Sequence, residues 1–212
     1  GLDYVIYSDV QADPPDNVVL EAAAFAKQEK IDVVLGFGGG SSMDVAKLIA
    51  ILAHPEQHQT LSDLYGVDNA TGPRLALILV PTTAGTGSEV TPISIVTTGE
   101  TTKSGIVAPI LYADIAILDA TFTRNLPAQI TAATGIDAMV HAIEAYTSKH
   151  KKNPYSDMLA KQALRLLNAN LQRVLQDGHD LDARQNMLVG SMLAGQAFAN
   201  APVAAVHALA YP

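Results

Sequence analysis

The chain has 212 residues, of which 49% are hydrophobic and 16% charged, and its formal net charge is −8. This composition predicts a globular protein with a substantial core, and the acidic balance argues against nucleic acid or an anionic membrane as a partner. The absence of cysteine excludes disulfides, thiolate metal sites and a cysteine nucleophile. No apolar run has the length of a membrane span and no signal peptide is visible, so we expect a cytoplasmic protein.

The first half of the sequence alternates apolar strands with amphipathic helices. Asp13 is predicted to cap the first helix, with proline in its first turn. Continuous runs of Val, Ile and Leu separated by helices are typical of a parallel sheet covered on both faces. In chain order we predict strand 4–7, helix 18–30, strand 32–37, helix 43–53, and strands 75–80, 91–97 and 115–118.

The second half contains only Ala- and Leu-rich helical segments, at 156–176 and 187–199. Apolar side chains recur there close to the helical period. We therefore predict an α/β unit over residues 1–125 and an all-helical unit over 126–212. The chain starts without Met and stops just after a candidate ligand, so we also expect it to be part of something longer, cut at both ends.

Two polar loops follow predicted strands. Residues 38–42 (GGGSS) join a strand to a helix, and glycines there let a phosphate approach the free N–H groups of the helix start. Residues 81–89 (PTTAGTGSE) place hydroxyls at the carboxyl end of another strand, where open α/β sheets bind ligands. Ordinary turn chemistry explains either loop alone, whereas the two together indicate a bound nucleotide.

Asp137 and His141 are four residues apart in a predicted helix. This spacing puts a carboxylate and an imidazole on one face, where they can bind one divalent metal ion. His207, far downstream, is a third candidate ligand. A capping aspartate with two structural histidines would explain the same residues.

Three segments resemble the iron-containing, or group III, alcohol dehydrogenase family, in the family's order. Residues 38–47 (GGGSSMDVAK) are similar to its pyrophosphate loop, residues 81–91 (PTTAGTGSEVT) to its second cofactor loop, and residues 133–144 (ATGIDAMVHAIE) to the segment with its first two metal ligands. The resemblance implies a Rossmann-like dinucleotide-binding domain with a parallel sheet, followed by an all-helical domain, with a catalytic metal in the cleft between them.

The resemblance also implies roles for individual residues. The metal ligands would be Asp137, His141 and His207, and a fourth, another histidine, would lie beyond Pro212. Gly39, Gly40 and Ser41 would contact the diphosphate of NAD or NADP, with Asp44 close behind them in the same motif. The remainder of the dinucleotide would contact Thr82, Thr83 and Thr91, with Lys103 reaching its ribose region. The chain departs from the family at Asp13, which is often Asn, and at Tyr211, where several members have a histidine considered for proton transfer.

The implied activity is metal-dependent hydride transfer between a nicotinamide cofactor and a small alcohol, aldehyde or ketone. Nitrogen and oxygen ligands suit Fe(II), which the family name favours, and also Zn(II). A weakly polar substrate is suggested by the apolar candidate pocket residues Ala145, Tyr146, Phe198 and Pro202. We also expect a homo-oligomer, a dimer or higher.

Three other functions are compatible with parts of this pattern. One is a metal-independent reductase of the same fold, like the maleylacetate reductases. Another is a lyase related to dehydroquinate synthase, although its metal motif differs from residues 135–141 (GIDAMVH). The third is a nucleotide-binding module without catalysis.

Overall fold

The computed structural model describes residues 1–99 and 102–201, and these form two compact units. The first unit combines Gly1–Gly36, Ser41–Leu79 and Pro92–Ile115. The second combines Phe37–Gly40, Val80–Thr91 and the chain from Ala116 onward. The units are interleaved in sequence, and the division into domains at residues 125 and 126 stays a prediction about the whole protein.

Helices and strands alternate only in the first part of the chain, and residues 66–116 contain five successive strands joined by loops and short 3-10 turns. The parallel sheet has the strand order β1-β3-β6, and a second sheet has the order β2-β5-β4, with β4 antiparallel to β5. The predicted fold class is therefore confirmed. The elements are α1 (Asp16–Gln28), β1 (Val33–Gly38), α2 (Gly40–Leu52), α3 (Leu61–Leu64), β2 (Gly66–Val67), β3 (Ala76–Pro81), β4 (Ile93–Thr98), β5 (Thr102–Val107) and β6 (Ile115–Ala116).

The core of the first unit consists of apolar side chains from its helices and strands. Met43 on α2 packs with Leu77 and Leu79 of β3. Gly36 in β1 permits this packing, because a Cβ added there would lie 2.7 Å from the Cβ of Ala46. The glycine thus lets strand and helix approach more closely than any other residue would.

Several local predictions for the first unit are wrong. Residues 4–7 were predicted as a strand, but they pair with no strand in the described part of the chain. Their side chains are mostly exposed. The outer face of β1 is half exposed at Val33, Leu35 and Phe37, so β1 is not covered on both faces. Strand β5 was missed because its sequence (TKSGIV) is polar and contains glycine.

The second unit contains three long helices that pack against one another. They are α4 (Ala128–Thr147), α5 (Pro154–Gln176) and α6 (Leu181–Asn200). Helix α6 begins earlier than predicted because Asp180 caps it, accepting a 2.9 Å hydrogen bond from the Ala183 N–H. Leu167, Met187 and Leu188 are among the core residues. Among the described residues, no helix is long and apolar enough to cross a membrane.

Candidate active site

Residues 38–40 of the first predicted cofactor loop lie against the second predicted cofactor loop within the second unit. The Thr82 N–H donates a 2.8 Å hydrogen bond to the Gly38 carbonyl. A Cβ added at Gly39 would lie 3.6 Å from the Thr83 side chain, and one at Gly40 only 2.7 Å from Thr86 Cγ2. Glycine at position 40 is therefore what allows the loops to touch.

The first loop ends in a helix start that suits an anion. Helix α2 begins at Gly40, three residues earlier than predicted, so the N–H groups of the first turn belong to the loop itself. Gly39, Gly40 and Ser41 are all partly exposed. Free N–H groups and the positive end of the helix dipole are the combination that binds phosphate.

Of the three threonines predicted to contact the cofactor from the second loop, two are partly exposed and one is buried. Thr82 and Thr83 are partly exposed, so their hydroxyls are accessible to a ligand. Thr91 is buried, and its hydroxyl donates to the Ser88 carbonyl at 3.4 Å. The cofactor roles of all three threonines stay predictions.

Asp44 binds the backbone of β4. Its Oδ2 accepts a 3.0 Å hydrogen bond from the Ile95 N–H. Lys47, one turn later on α2, is completely buried (0% exposed), donates to the Ile93 carbonyl at 2.7 Å and lies 3.8 Å from Asp44 Oδ1. Sequence reasoning assigned Asp44 to the cofactor and missed Lys47, although a lysine in an apolar helix face is a signal for a paired buried charge.

Asp13 does not cap α1, contrary to the prediction. Its backbone is left-handed (φ 53°), and the residue preceding the helix is Pro15. The Asp13 carboxylate instead pairs with Lys103 Nζ at 2.7 Å, and this ammonium also donates to Thr97 Oγ1 at 2.9 Å. Lys103, which was predicted to reach the ribose, is thus paired with Asp13.

Asp137 and His141 lie one turn apart on α4, as the spacing predicts. Asp137 Oδ2 and His141 Nδ1 are 3.9 Å apart, with side chains 41% and 9% exposed. Helix α4 approaches its neighbours closely here, because a Cβ added at Gly135 would lie 2.8 Å from both Leu171 Cδ1 and Met187 Cε. The pair therefore lies on a closely packed helix rather than on a mobile loop.

The distance between these two donor atoms is close to that of two ligands on one metal ion. Metal–oxygen and metal–nitrogen bonds of about 2.1 Å at the tetrahedral angle put two ligand atoms about 3.4 Å apart. Asp137 Oδ2 and His141 Nδ1, at 3.9 Å, would therefore have to approach each other by about 0.5 Å to share an ion. Within residues 1–99 and 102–201, no three His, Cys, Asp or Glu side chains form a metal-binding group. His207, the predicted third ligand, lies outside the described residues, as do Pro202 and Tyr211.

Phe198 on α6 packs against the imidazole of His141. Its ring centroid lies 4.6 Å from that of His141, with 30° between the planes. Phe198 was predicted to line the substrate pocket, together with Ala145 and Tyr146. Ala145 is fully buried, whereas Tyr146 is largely exposed on the same helix. Phe198 therefore contacts a candidate ligand through its ring.

Comparisons with known proteins identify the family of the chain. The model of the iron-containing alcohol dehydrogenases matches residues 1–120, and the model of the C-terminal part of the Fe-containing alcohol dehydrogenase family matches residues 131–212. The chain is 47% identical over 213 residues to long-chain-alcohol dehydrogenase 1 of Geobacillus thermodenitrificans, a match that covers 100% of this chain and 53% of the relative.

The fold of the chain is also similar to those of solved structures. A crystal structure of 1,3-propanediol oxidoreductase matches with a TM-score of 0.92 and 40% identity, over 97% of this chain and 53% of that one. Sulfoacetaldehyde reductase from Bifidobacterium kashiwanohense, in complex with NAD⁺, matches with a TM-score of 0.90 and 33% identity, over 97% and 54%. The chain spans about half the length of these relatives. With its two contacting loops and its paired Asp137 and His141, it belongs to the iron-containing alcohol dehydrogenase family.

Proposed function

We propose that the whole protein is a metal-dependent oxidoreductase that transfers a hydride between NAD and a small alcohol, with the aldehyde or ketone as the other partner. The observation that carries the proposal is the 3.9 Å separation of Asp137 Oδ2 and His141 Nδ1. Asp137 and His141 belong to the same compact unit as residues 38–40 and 80–91, where the two loops touch. The family description supports Fe(II) as the metal, and Zn(II) fits the same donor atoms.

Each group of residues has a distinct task in this proposal. A divalent ion at Asp137 and His141 supplies Lewis-acid chemistry, which favours ionisation of an alcohol at neutral pH. The Asp137 carboxylate balances part of the ion's charge, and Phe198 holds the imidazole in one orientation by ring contact. The N–H groups at the start of α2 and the hydroxyls of Thr82 and Thr83 hold and orient the dinucleotide.

The pairing of Asp13 with Lys103 supports NAD over NADP. The 2.7 Å ion pair places an exposed carboxylate beside the cation predicted to reach the ribose. A 2′-phosphate would be repelled by the carboxylate and would find the ammonium already neutralised. A relative whose structure holds NAD⁺ supports the same preference.

The proposal is tested with the full-length protein. We expect elemental analysis to find one divalent metal per chain, and NADH to outperform NADPH with a panel of small aldehydes. His207→Ala is expected to lower both bound metal and turnover. Turnover that survives complete removal of the metal would instead indicate a metal-independent reductase. Cofactor binding without any reduction would indicate a non-catalytic module.

Assembly and location belong to the same proposal. We expect a homo-oligomer, a dimer or higher, in the cytoplasm. Size-exclusion chromatography with light scattering measures the oligomeric state, and a mass equal to one chain would contradict the expected oligomer.

A further inference from the structure

The loop Val80–Thr91, called the threonine loop from here on, touches three other segments of the second unit at glycines. Its contact with the first cofactor loop is that of Thr86 with Gly40, described above. Its other two contacts are with α4 and α6. Both lie within one helical turn of residues at the candidate metal site.

The contact with α4 involves Gly85 and Thr134. A Cβ added at Gly85 would lie 2.7 Å from Thr134 Cβ and 3.2 Å from both the Cα and the carbonyl oxygen of Thr134. Two of these three atoms are helix backbone, which cannot swing aside as a side chain can. Thr134 precedes Asp137 by three residues and lies on the same helix face. An atom inserted at position 85 therefore pushes on the turn that carries the candidate ligand.

The contact with α6 is equally close and involves backbone on both sides. Gly87 has a left-handed backbone (φ 61°), and a Cβ there would lie 2.7 Å from Gly195 Cα. In the other direction, a Cβ at Gly195 would lie 2.9 Å from the Gly87 carbonyl oxygen and 3.0 Å from its Cα. Gly195 precedes Phe198 by three residues, and Phe198 packs against His141. The loop and the helix thus meet backbone to backbone, one turn from the residue that orients the imidazole.

We propose that the threonine loop is a spacer that fixes the distance between the cofactor and the metal, and that Gly85 and Gly195 are positioning residues for hydride transfer. The loop contacts the phosphate-binding turn at one place and the supports of Asp137 and His141 at two others. Two of the three contacts reach helix backbone, and the third is made by the short, β-branched side chain of Thr86, so a displacement at one end is transmitted to the other. This inference rests on the proposed function.

Two variants of the full-length protein test it, with a matched control. Gly85→Ala and Gly195→Ala each add one methyl group at a backbone contact. Gly105→Ala, in β5, adds the same group where nothing lies within 4 Å. Alanine is a better helix former than glycine, so Gly195→Ala does not weaken α6 through helix propensity.

The first readout is the distance itself. With Mn(II) in the metal site, the paramagnetic relaxation of the nicotinamide protons of bound NAD⁺ falls with the inverse sixth power of their distance from the ion. We expect altered relaxation in both glycine-contact variants and unchanged relaxation in Gly105→Ala. We expect the Kd for NADH and the metal content to stay within about twofold of the wild type in all three.

The second readout is the chemical step. Misplacement by about 1 Å costs up to ~100-fold in rate, so we expect single-turnover hydride transfer to slow at least tenfold in Gly195→Ala. The isotope effect on kcat with deuterated alcohol should then increase. Normal relaxation and normal transfer rates in both variants would overturn the inference. So would a joint loss of metal, cofactor and fold, since the glycines would then serve folding alone. A wild-type protein that binds no metal would instead refute the proposed function, before any variant is compared.

Discussion

Strand β4 and the threonine loop are held in place by opposite means. At β4, in the first unit, charged side chains bind backbone groups, as Lys47 binds the Ile93 carbonyl and Asp44 the Ile95 N–H. In the threonine loop, in the second unit, the closest contacts are made where side chains are missing, at Gly85 and Gly87. The difference teaches that β4 is sensitive to the removal of atoms and the threonine loop to their addition.

The largest expected effect comes from removing a buried charge in the first unit. Lys47→Met leaves the Ile93 carbonyl without its donor and Asp44 without the neighbouring ammonium. Breaking a buried pair on one side costs about 3 kcal/mol of unfolding free energy. Urea denaturation of Lys47→Met measures this cost, with exposed Lys27→Met on α1 as the control, expected within about 0.5 kcal/mol of the wild type. A loss below ~1 kcal/mol for Lys47→Met would show that the Lys47 hydrogen bond to β4 contributes little to stability.

The second unit is tested by adding atoms at two glycines with the same backbone conformation. Gly87 and Gly99 have φ angles of 61° and 64°, but only Gly87 has a neighbour where a Cβ would go. Left-handed strain alone costs about 1 kcal/mol, which is the loss expected for Gly99→Ala. Gly87→Ala adds overpacking and should lose about 3 kcal/mol in total. Equal losses in thermal or urea unfolding would mean that the approach of Gly195 contributes nothing.

A smaller effect on the unfolding free energy, dependent on pH, is expected at the ion pair of Arg74 with Asp114 in the first unit. Hydrogen bonds from Arg74, together with the Leu77 N–H, lower the pKa of Asp114 to about 2. Because the folded-state pKa is depressed from 3.8, the stabilisation is present above about pH 4 and is lost as the pH falls through about 2. The carboxylate is half exposed, so solvent screening limits its contribution to about 1 kcal/mol.

Asp114→Asn measures this contribution as the loss of unfolding free energy at pH 6. The variant and the wild type should converge as the pH approaches 2, because protonation then removes the same charge from the wild type. A difference that stays constant from pH 6 to pH 2 would contradict the assigned pKa.

The parts of the molecule that could be predicted from the sequence are those encoded locally. Glycine and threonine runs after apolar strands predicted the two loops. The i, i+4 spacing predicted that Asp137 and His141 lie together on α4. Predictions failed where pairing depends on distant residues. The run 4–7 is apolar but has no neighbouring strand among the described residues, and Asp13 was read as a helix cap although its partner is Lys103.

The close contacts of the threonine loop could be predicted only in part from the sequence. The sequence shows that Gly85 and Gly87 exist, but glycine in a loop is ordinary turn chemistry. Only the fold brings Thr134 and Gly195 against them. A glycine inside a long apolar helix, such as Gly195, was the one available sign that another backbone approaches.

The most direct test of the metal site is the metal content of the full-length protein and of one ligand variant. His141→Ala removes the buried imidazole 3.9 Å from Asp137, while His150→Ala removes an exposed one just beyond the end of α4. We expect about one iron or zinc ion per chain in the wild type and in His150→Ala, and a severalfold loss in His141→Ala that is matched by the loss of turnover. Full metal occupancy in His141→Ala would contradict the central claim that Asp137 and His141 share a catalytic ion.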